Sequence, residues 1–202
     1  MLTPAQIRIH RAAIQLFAEN GGSQVSVSEL AAAAGIARGT VYNNVESPEQ
    51  LFETVAAQLA HEMHARIMVS FATVNDPVQR LANGCRMFIR RAHEEPHWGR
   101  FVNRFSFNTK SLQDLLQSQL LQDVMAGMQA GRYSFRPEQL PGVIAMIAGT
   151  VLTSMFMVLE GHRTWRQAGA DTTELVLRAM GLPIDQARAL ATSELPPLPE
   201  VS

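Results

Sequence analysis

Arg38, Gly39, Thr40, Tyr42, Asn43 and Asn44 stand within seven consecutive residues, and their side chains suit the reading of a DNA duplex. An arginine can donate two hydrogen bonds to guanine O6 and N7. A threonine reaches a phosphate or a thymine methyl, and asparagines bond adenine edges or phosphates. The Tyr42 hydroxyl suits a phosphate, and Gly39 permits close approach of the backbone. Such a segment works when it opens a short helix lying in the major groove behind a supporting helix. The residues just before it spell that support. Ser26 and Glu29 form a capping box, each side chain satisfying the other residue's free backbone N–H. Ser28 falls in the first turn, Leu30, Ala33 and Ala34 are expected to face inward, and Gly35 ends the helix. With the second helix at 37–44, this is a helix-turn-helix pattern. The same pattern also serves as a plain packing corner with polar residues in solvent.

The surrounding elements read as helical too. Val, Ile, Thr and aromatics seldom alternate with polar residues, no fixed-period repeat occurs, and the fold class is all-α. A first helix is predicted over 4–20, with Ile9, Ala13, Leu16 and Phe17 on one face and Asn20-Gly21-Gly22 as its stop. A fourth is predicted from Ser47, with Pro48 at its first position and Gln50 closing a second box. No breaker follows before Val74–Pro77, so it could reach about 25 residues, roughly 37 Å. Asp76-Pro77 opens a helix ending near Glu95-Pro96. A less regular stretch, 97–108, carries Trp98, Phe101, Phe105 and Phe107. Ser111 is expected to cap a helix to about 130, an uncharged helix covers 137–162, and Asp171 with Glu174 forms a third box opening a helix to Met180-Gly181. A short helix follows Pro183. The tail, 192–202, is rich in proline and expected to be disordered.

Composition narrows the function classes. The 202 residues are 47% apolar, enough for a sizeable core, and only 17% charged, with net charge −1. A single cysteine, Cys85, excludes an internal disulfide framework and any cysteine-based zinc finger. The first residues lack the apolar core of a signal peptide, so a cytoplasmic protein is expected. Gln139–Leu159 is a run of 21 residues without charge, long enough to span a bilayer. Pro141, Gly142, Gly149, Thr150, Thr153 and Ser154 dilute it, its flanks are acidic, and aromatic anchors are missing. It is expected to be buried by protein, with no membrane partner.

The stretch Ile9–Leu51 resembles the DNA-binding domain of TetR/AcrR-type bacterial transcriptional regulators over 43 ordered positions. The resemblance is carried by Ala12-Ala13, Leu16-Phe17 and Gly21 in the first helix and the turn after it. It continues through Ser26-Val27, Leu30-Ala31, Ala34-Gly35-Ile36, Arg38-Gly39-Thr40-Val41-Tyr42 and Ser47-x-Glu-x-Leu. It implies a homodimer with an N-terminal reading head, here 1–47, and a variable ligand-binding and dimerisation domain, here 48–191. Three positions depart from the family pattern. Ala37 replaces the usual Ser or Thr cap, Pro48 a usual phosphate-binding Lys, and Asn44-Val45 a common His-aromatic pair. Residues 1–55 hold three arginines against five glutamates, net −2, where phosphate neutralisation normally supplies much affinity. Modest affinity per head, a shallow salt slope and reliance on dimer avidity are therefore expected.

The larger domain holds nine of the ten methionines. Met63, Ile67, Phe71, Phe88, Trp98, Phe101, Phe105, Met125, Met128 and Met146, with Met87 and Phe156, could line an apolar pocket for a small hydrophobic effector. Each also fits ordinary core packing. Arg80, Arg86, Arg90, Arg91, Arg100 and Arg104 could meet an anionic ligand group or form a solvated face. His61 with His64, and His93 with His97, lack a third ligand and the metalloprotease spacing, and no nucleophile elbow or phosphate loop occurs. No metal, cofactor or enzymatic activity is expected. Gly142, Ala145, Gly149 and Thr153 form a small-residue stripe open to another helix. The family resemblance makes this helix and the one carrying Leu175 the dimer bundle. The function expected is a ligand-responsive regulator, most simply a repressor. It would bind a near-palindromic double-stranded operator and release it on binding a small-molecule effector. The alternative is a helical ligand-binding or protein-interaction module with weakened DNA binding.

Overall fold

The computed structural model describes residues 3–45, 47 and 50–199. Among these every regular element is helical. In chain order they are α1 (Pro4–Asn20), α2 (Val27–Ala34), α3 (Arg38–Asn44), α4 (Leu51–Ser70), α5 (Pro77–Glu94), α6 (Pro96–Phe105), α7 (Lys110–Gln129), α8 (Leu140–Leu159), α9 (Trp165–Ala179) and α10 (Ile184–Thr192). A 3₁₀ turn, Pro137–Gln139, leads into α8. Helices α1–α3 pack together as the head. In the larger part α5 is central, flanked by α6, α7, α8 and α9, while α10 rests on α9 and α5.

Local signals explain most boundaries. The Ser26–Glu29 box forms as expected, with Ser26 N–H donating to Glu29 at 2.9 Å and Glu29 N–H to Ser26 Oγ at 3.1 Å. Those hydrogen bonds, from the Ser26 side chain first, hold the Glu29 carboxyl below its ordinary pKa. Gly21 and Gly35 end α1 and α2 in the left-handed region, at φ 75° and 63°, which an L side chain resists. The buried face of α2 is Leu30, Ala31 and Ala34; Ala33, expected inside, is exposed.

Several expectations are corrected. Helix α4 starts at Leu51 and has 20 residues rather than about 25; Pro48, its expected first residue, lies outside the described residues. The stretch expected to be irregular contains helix α6. Its Gly99 sits so close to α5 that an added Cβ would lie 2.9 Å from the Ala92 Cα. Helix α7 begins behind Thr109 rather than Ser111. Helix α9 begins at Trp165 behind a Thr164–Gln167 box, six residues before the expected Asp171 cap; Asp171 instead pairs with Arg163. The tail departs from the expected disorder as far as Pro199. Ser193 and Pro199 carbonyls accept from Arg86 (2.7 Å) and Arg66 (2.9 Å), Ser70 donates to Pro197, and Leu195 and Leu198 pack on the core.

Arg91 is 1% exposed. Its guanidinium meets Glu62 and Glu95 at 2.9 Å each and stacks on Trp98 at 4.4 Å. Arg66 joins the same group at Glu95, 2.8 Å. Burial raises the Glu95 pKa, but Arg91 and then Arg66 outweigh it and hold the carboxyl below its ordinary value. A depressed folded pKa contributes stability above the unfolded pKa, and this is lost as pH falls through the folded value. Glu95→Gln is therefore expected to flatten the acid limb of a urea-midpoint curve below about pH 4. Glu95 is partly exposed, so the contribution at neutral pH should stay under about 1 kcal/mol. An unchanged acid limb would refute this account.

Candidate nucleic-acid interface

Helix α3 is anchored through Val41, which is fully buried, and presents its other side chains outward. Arg38, Gly39 and Asn43 are exposed, and Tyr42 is 62% exposed. Nothing lies within 4 Å of a Cβ built on Gly39, so its surface is open to a backbone or a groove wall. Thr40 is half-buried at the edge of this surface, and Ser28 is exposed in the first turn of α2. The structure thus brings Ser28, Arg38, Gly39, Tyr42 and Asn43 to solvent together. Asn44 differs. Its amide donates to Thr40 O at 2.8 Å, and its Oδ1 accepts from Thr3 at 3.3 Å. It ties the end of α3 to the start of α1, which occupies the side chain offered above for base reading. Ala37 makes no cap hydrogen bond. Ala37→Ser is expected to add about 1 kcal/mol to α3, visible as slower amide exchange in 38–44 and a melting temperature about 2–4 °C higher.

The head is fastened to the larger part by aromatic rings and one guanidinium. Phe17 of α1, Phe52 of α4 and Phe101 and Phe105 of α6 form one cluster, with centroids 4.8–6.1 Å apart. Arg104 donates to Ala18 O at 2.9 Å, satisfying a carbonyl that the end of α1 leaves free. The guanidinium also fills the space beside Gly21, where a Cβ would come within 2.8 Å of Nη1. A displacement of α6 therefore acts directly on α1.

A cavity of about 60 Å³ opens between α4, α5, α7 and α8. Of the residues expected to line a pocket, Ile67, Phe71 and Phe88 do so. Phe101 and Phe105 belong to the head junction, and Met63 and Trp98 pack around Arg91. Met87 is core, Met128 and Met146 are half-buried against it, and Met125 is exposed. Sequence reasoning missed Gln119 and Asp123, which with Arg80, one of the arginines offered to a ligand group, form a polar end to this otherwise apolar space. Asp123 is 5% exposed. Burial raises its carboxyl pKa, against the opposing pull of Gln119 and Arg80. Cys85 also faces the cavity, and burial pushes its thiol up to about 12, so it is no ready nucleophile. The arginines grouped in the sequence separate in space. Arg80 meets Asp123, Arg86 the end of α10, Arg90 Glu94, Arg91 two glutamates and Arg104 α1. Among the described residues no three His, Cys, Asp or Glu side chains gather to hold a metal ion.

The segment Pro137–Leu159 is long and apolar enough to cross a membrane, with mean hydropathy 2.1 over its best window. Val143, Ile147, Val151, Leu152 and Met155 bury one side of it against the core. The opposite side carries Gly142, Ala145 and Thr153, exposed, and Gly149, half-buried, with open space over both glycines. Phe156 continues this stripe at 51% exposure and lies away from the α4–α5–α7–α8 cavity, and Leu175 of α9 is 59% exposed.

Comparison with known proteins matches residues 9–55 to bacterial regulatory proteins of the tetR family, and residues 76–193 to the tetracyclin repressor-like C-terminal domain. An uncharacterized HTH-type transcriptional regulator from Mycobacterium tuberculosis is 30% identical over 89 residues, 44% of each chain. The HTH-type transcriptional repressor DhaR of Mycobacterium sp. (strain GP1) is 27% identical over 120 residues, 59% of each chain. The matched segment thus spans less than two thirds of either relative. Among solved structures, RolR in complex with resorcinol is similar over 96% of both chains, at 23% identity and TM-score 0.66. Two family models, one over most of the reading head and one over most of the larger part, together match well over half of the chain, and the chain belongs to the tetR family of bacterial regulatory proteins.

Proposed function

We propose that two copies of the chain pair through α8 and α9 and act as a transcriptional repressor in the cytoplasm. The paired α3 helices would enter successive major grooves of a near-palindromic operator, about 34 Å apart. A small, mainly apolar effector in the α4–α5–α7–α8 cavity would shift α4 and α6 and release DNA. The observation that carries this reading is the exposed set Arg38, Gly39, Tyr42 and Asn43 on a helix anchored by buried Val41. The open small-residue face of α8 supports pairing, because apolar area of that extent is stabilised when covered. DhaR is named a repressor, and RolR is described with a small phenolic ligand, which supports the repressor role and the effector size. By linkage, DNA must weaken effector binding by the factor with which effector weakens DNA binding.

The head's net charge of −2 favours a second reading, a ligand-binding or protein-interaction module with weakened DNA binding. Selection of genomic DNA fragments at low and physiological salt separates the two. Enrichment of one palindromic site with a shallow salt slope is expected. No enriched site at either salt would overturn the repressor reading in favour of the second.

A further inference from the structure

The polar end of the cavity has hydrogen-bonding capacity left over. Gln119 donates to Asp123 Oδ1 at 3.1 Å, and Arg80 Nε lies 3.0 Å from the same oxygen. The Arg80 contact is poorly aligned, so its buried Nε–H remains without a hydrogen-bond acceptor. Its guanidinium is held over the Phe71 ring at 5.3 Å. Both contacts fall on Oδ1 and leave Oδ2 out. Buried polar groups without partners are costly unless something completes them. The rest of the lining, including Ile67, Phe71, Leu81, Phe88, Leu115 and Val151, is apolar.

We infer that the effector of this cavity is an uncharged molecule with a compact apolar body and a hydroxyl at one end, the hydroxyl donating to Asp123 and accepting from Arg80. The inference rests on the cavity being the effector site. A hydroxyl satisfies both partners at once. A carboxylate satisfies Arg80 but brings a second negative charge against Asp123 in a space of low dielectric. A hydrocarbon fills the apolar part and leaves the Arg80 Nε–H without an acceptor, which such sites reject strongly. The cavity volume, about 60 Å³, is well below the roughly 150 Å³ that accommodates benzene in an engineered protein cavity. Entry of one ring must therefore widen the space between α4, α5, α7 and α8.

The test uses two bodies, each with three end groups, titrated calorimetrically into the full chain: phenol, benzoate and toluene, then 1-hexanol, hexanoate and hexane. The hydroxyl member of a body is expected to bind about ten- to a hundredfold more tightly than its carboxylate and hydrocarbon. Asp123→Asn should erase that preference while leaving hydrocarbon binding unchanged. The wild-type series decides the inference even if this variant fails to fold. Equal or tighter binding of a carboxylate or hydrocarbon would overturn the hydroxyl inference and leave the effector site standing. Binding of none of the six to the wild type would overturn the effector-site reading and the inference with it.

Discussion

Replacing Arg38 with alanine is expected to lower operator affinity by about 2–6 kcal/mol in the paired protein, roughly thirtyfold to twenty-thousandfold. Each bidentate arginine–guanine pair contributes about 1–3 kcal/mol, and a two-fold symmetric complex loses it twice. The side chain is exposed and distant from the core, so the melting temperature should not move. Tyr42→Phe supplies the contrast. It removes one exposed hydroxyl suited to a phosphate, and should weaken operator and random DNA by a similar small factor. A gel-shift series on operator and scrambled duplexes at fixed salt distinguishes these effects. If Arg38→Ala weakens both duplexes equally, Arg38 grips the backbone and the base reading lies elsewhere on α3.

Phe101→Ala is expected to cost about 3–5 kcal/mol of stability, through lost burial and the cavity left behind. For a chain of this length that corresponds to a melting temperature lower by roughly 6–20 °C. Phe101 is 0% exposed and touches three other rings, so little can collapse into the vacated space. Phe107, 70% exposed just beyond α6, is the control, and its alanine variant should change stability by less than about 0.5 kcal/mol. Comparable losses in the two variants would show that the ring cluster does not hold the head.

The reading head was largely legible because its signals are local. The Ser26–Glu29 box and the glycines at 21 and 35 each act within one turn, and each appears in the structure as read. The errors fall where a residue answers to a distant partner. Pro96 and Gly99 weaken the helical pattern of α6, yet Gly99 is small because Ala92 of α5 approaches it. Gly169 likewise interrupts the start of α9, where the Arg86 side chain lies 3.5 Å from its Cβ position. That disguises a helix whose Thr164–Gln167 box obeys the same rule as the Ser26–Glu29 box. Only Ile67, Phe71 and Phe88 of the expected lining reach the cavity, for a related reason. Aromatic rings suggested a ligand, but Phe101 and Phe105 pack on rings from residues 17 and 52. The polar end joins residue 80 to residues 119 and 123, and no spacing along the chain announces that two helices will face each other there.

The bond from Arg104 to the end of α1 bears on how such regulators diversify. The first helix of the head is finished by a guanidinium from the sixth helix, and Gly21 accommodates it. The head is therefore not a detachable cartridge. Residues 1–47 grafted onto a relative's larger domain would lack this cap unless that domain carries an arginine at the matching turn, and its aromatic seat would be unmatched. Exchange of heads should succeed only when α6 travels with α1. New operator specificity in this lineage then comes more readily from substitutions along the exposed edge of α3 than from recombination of whole domains.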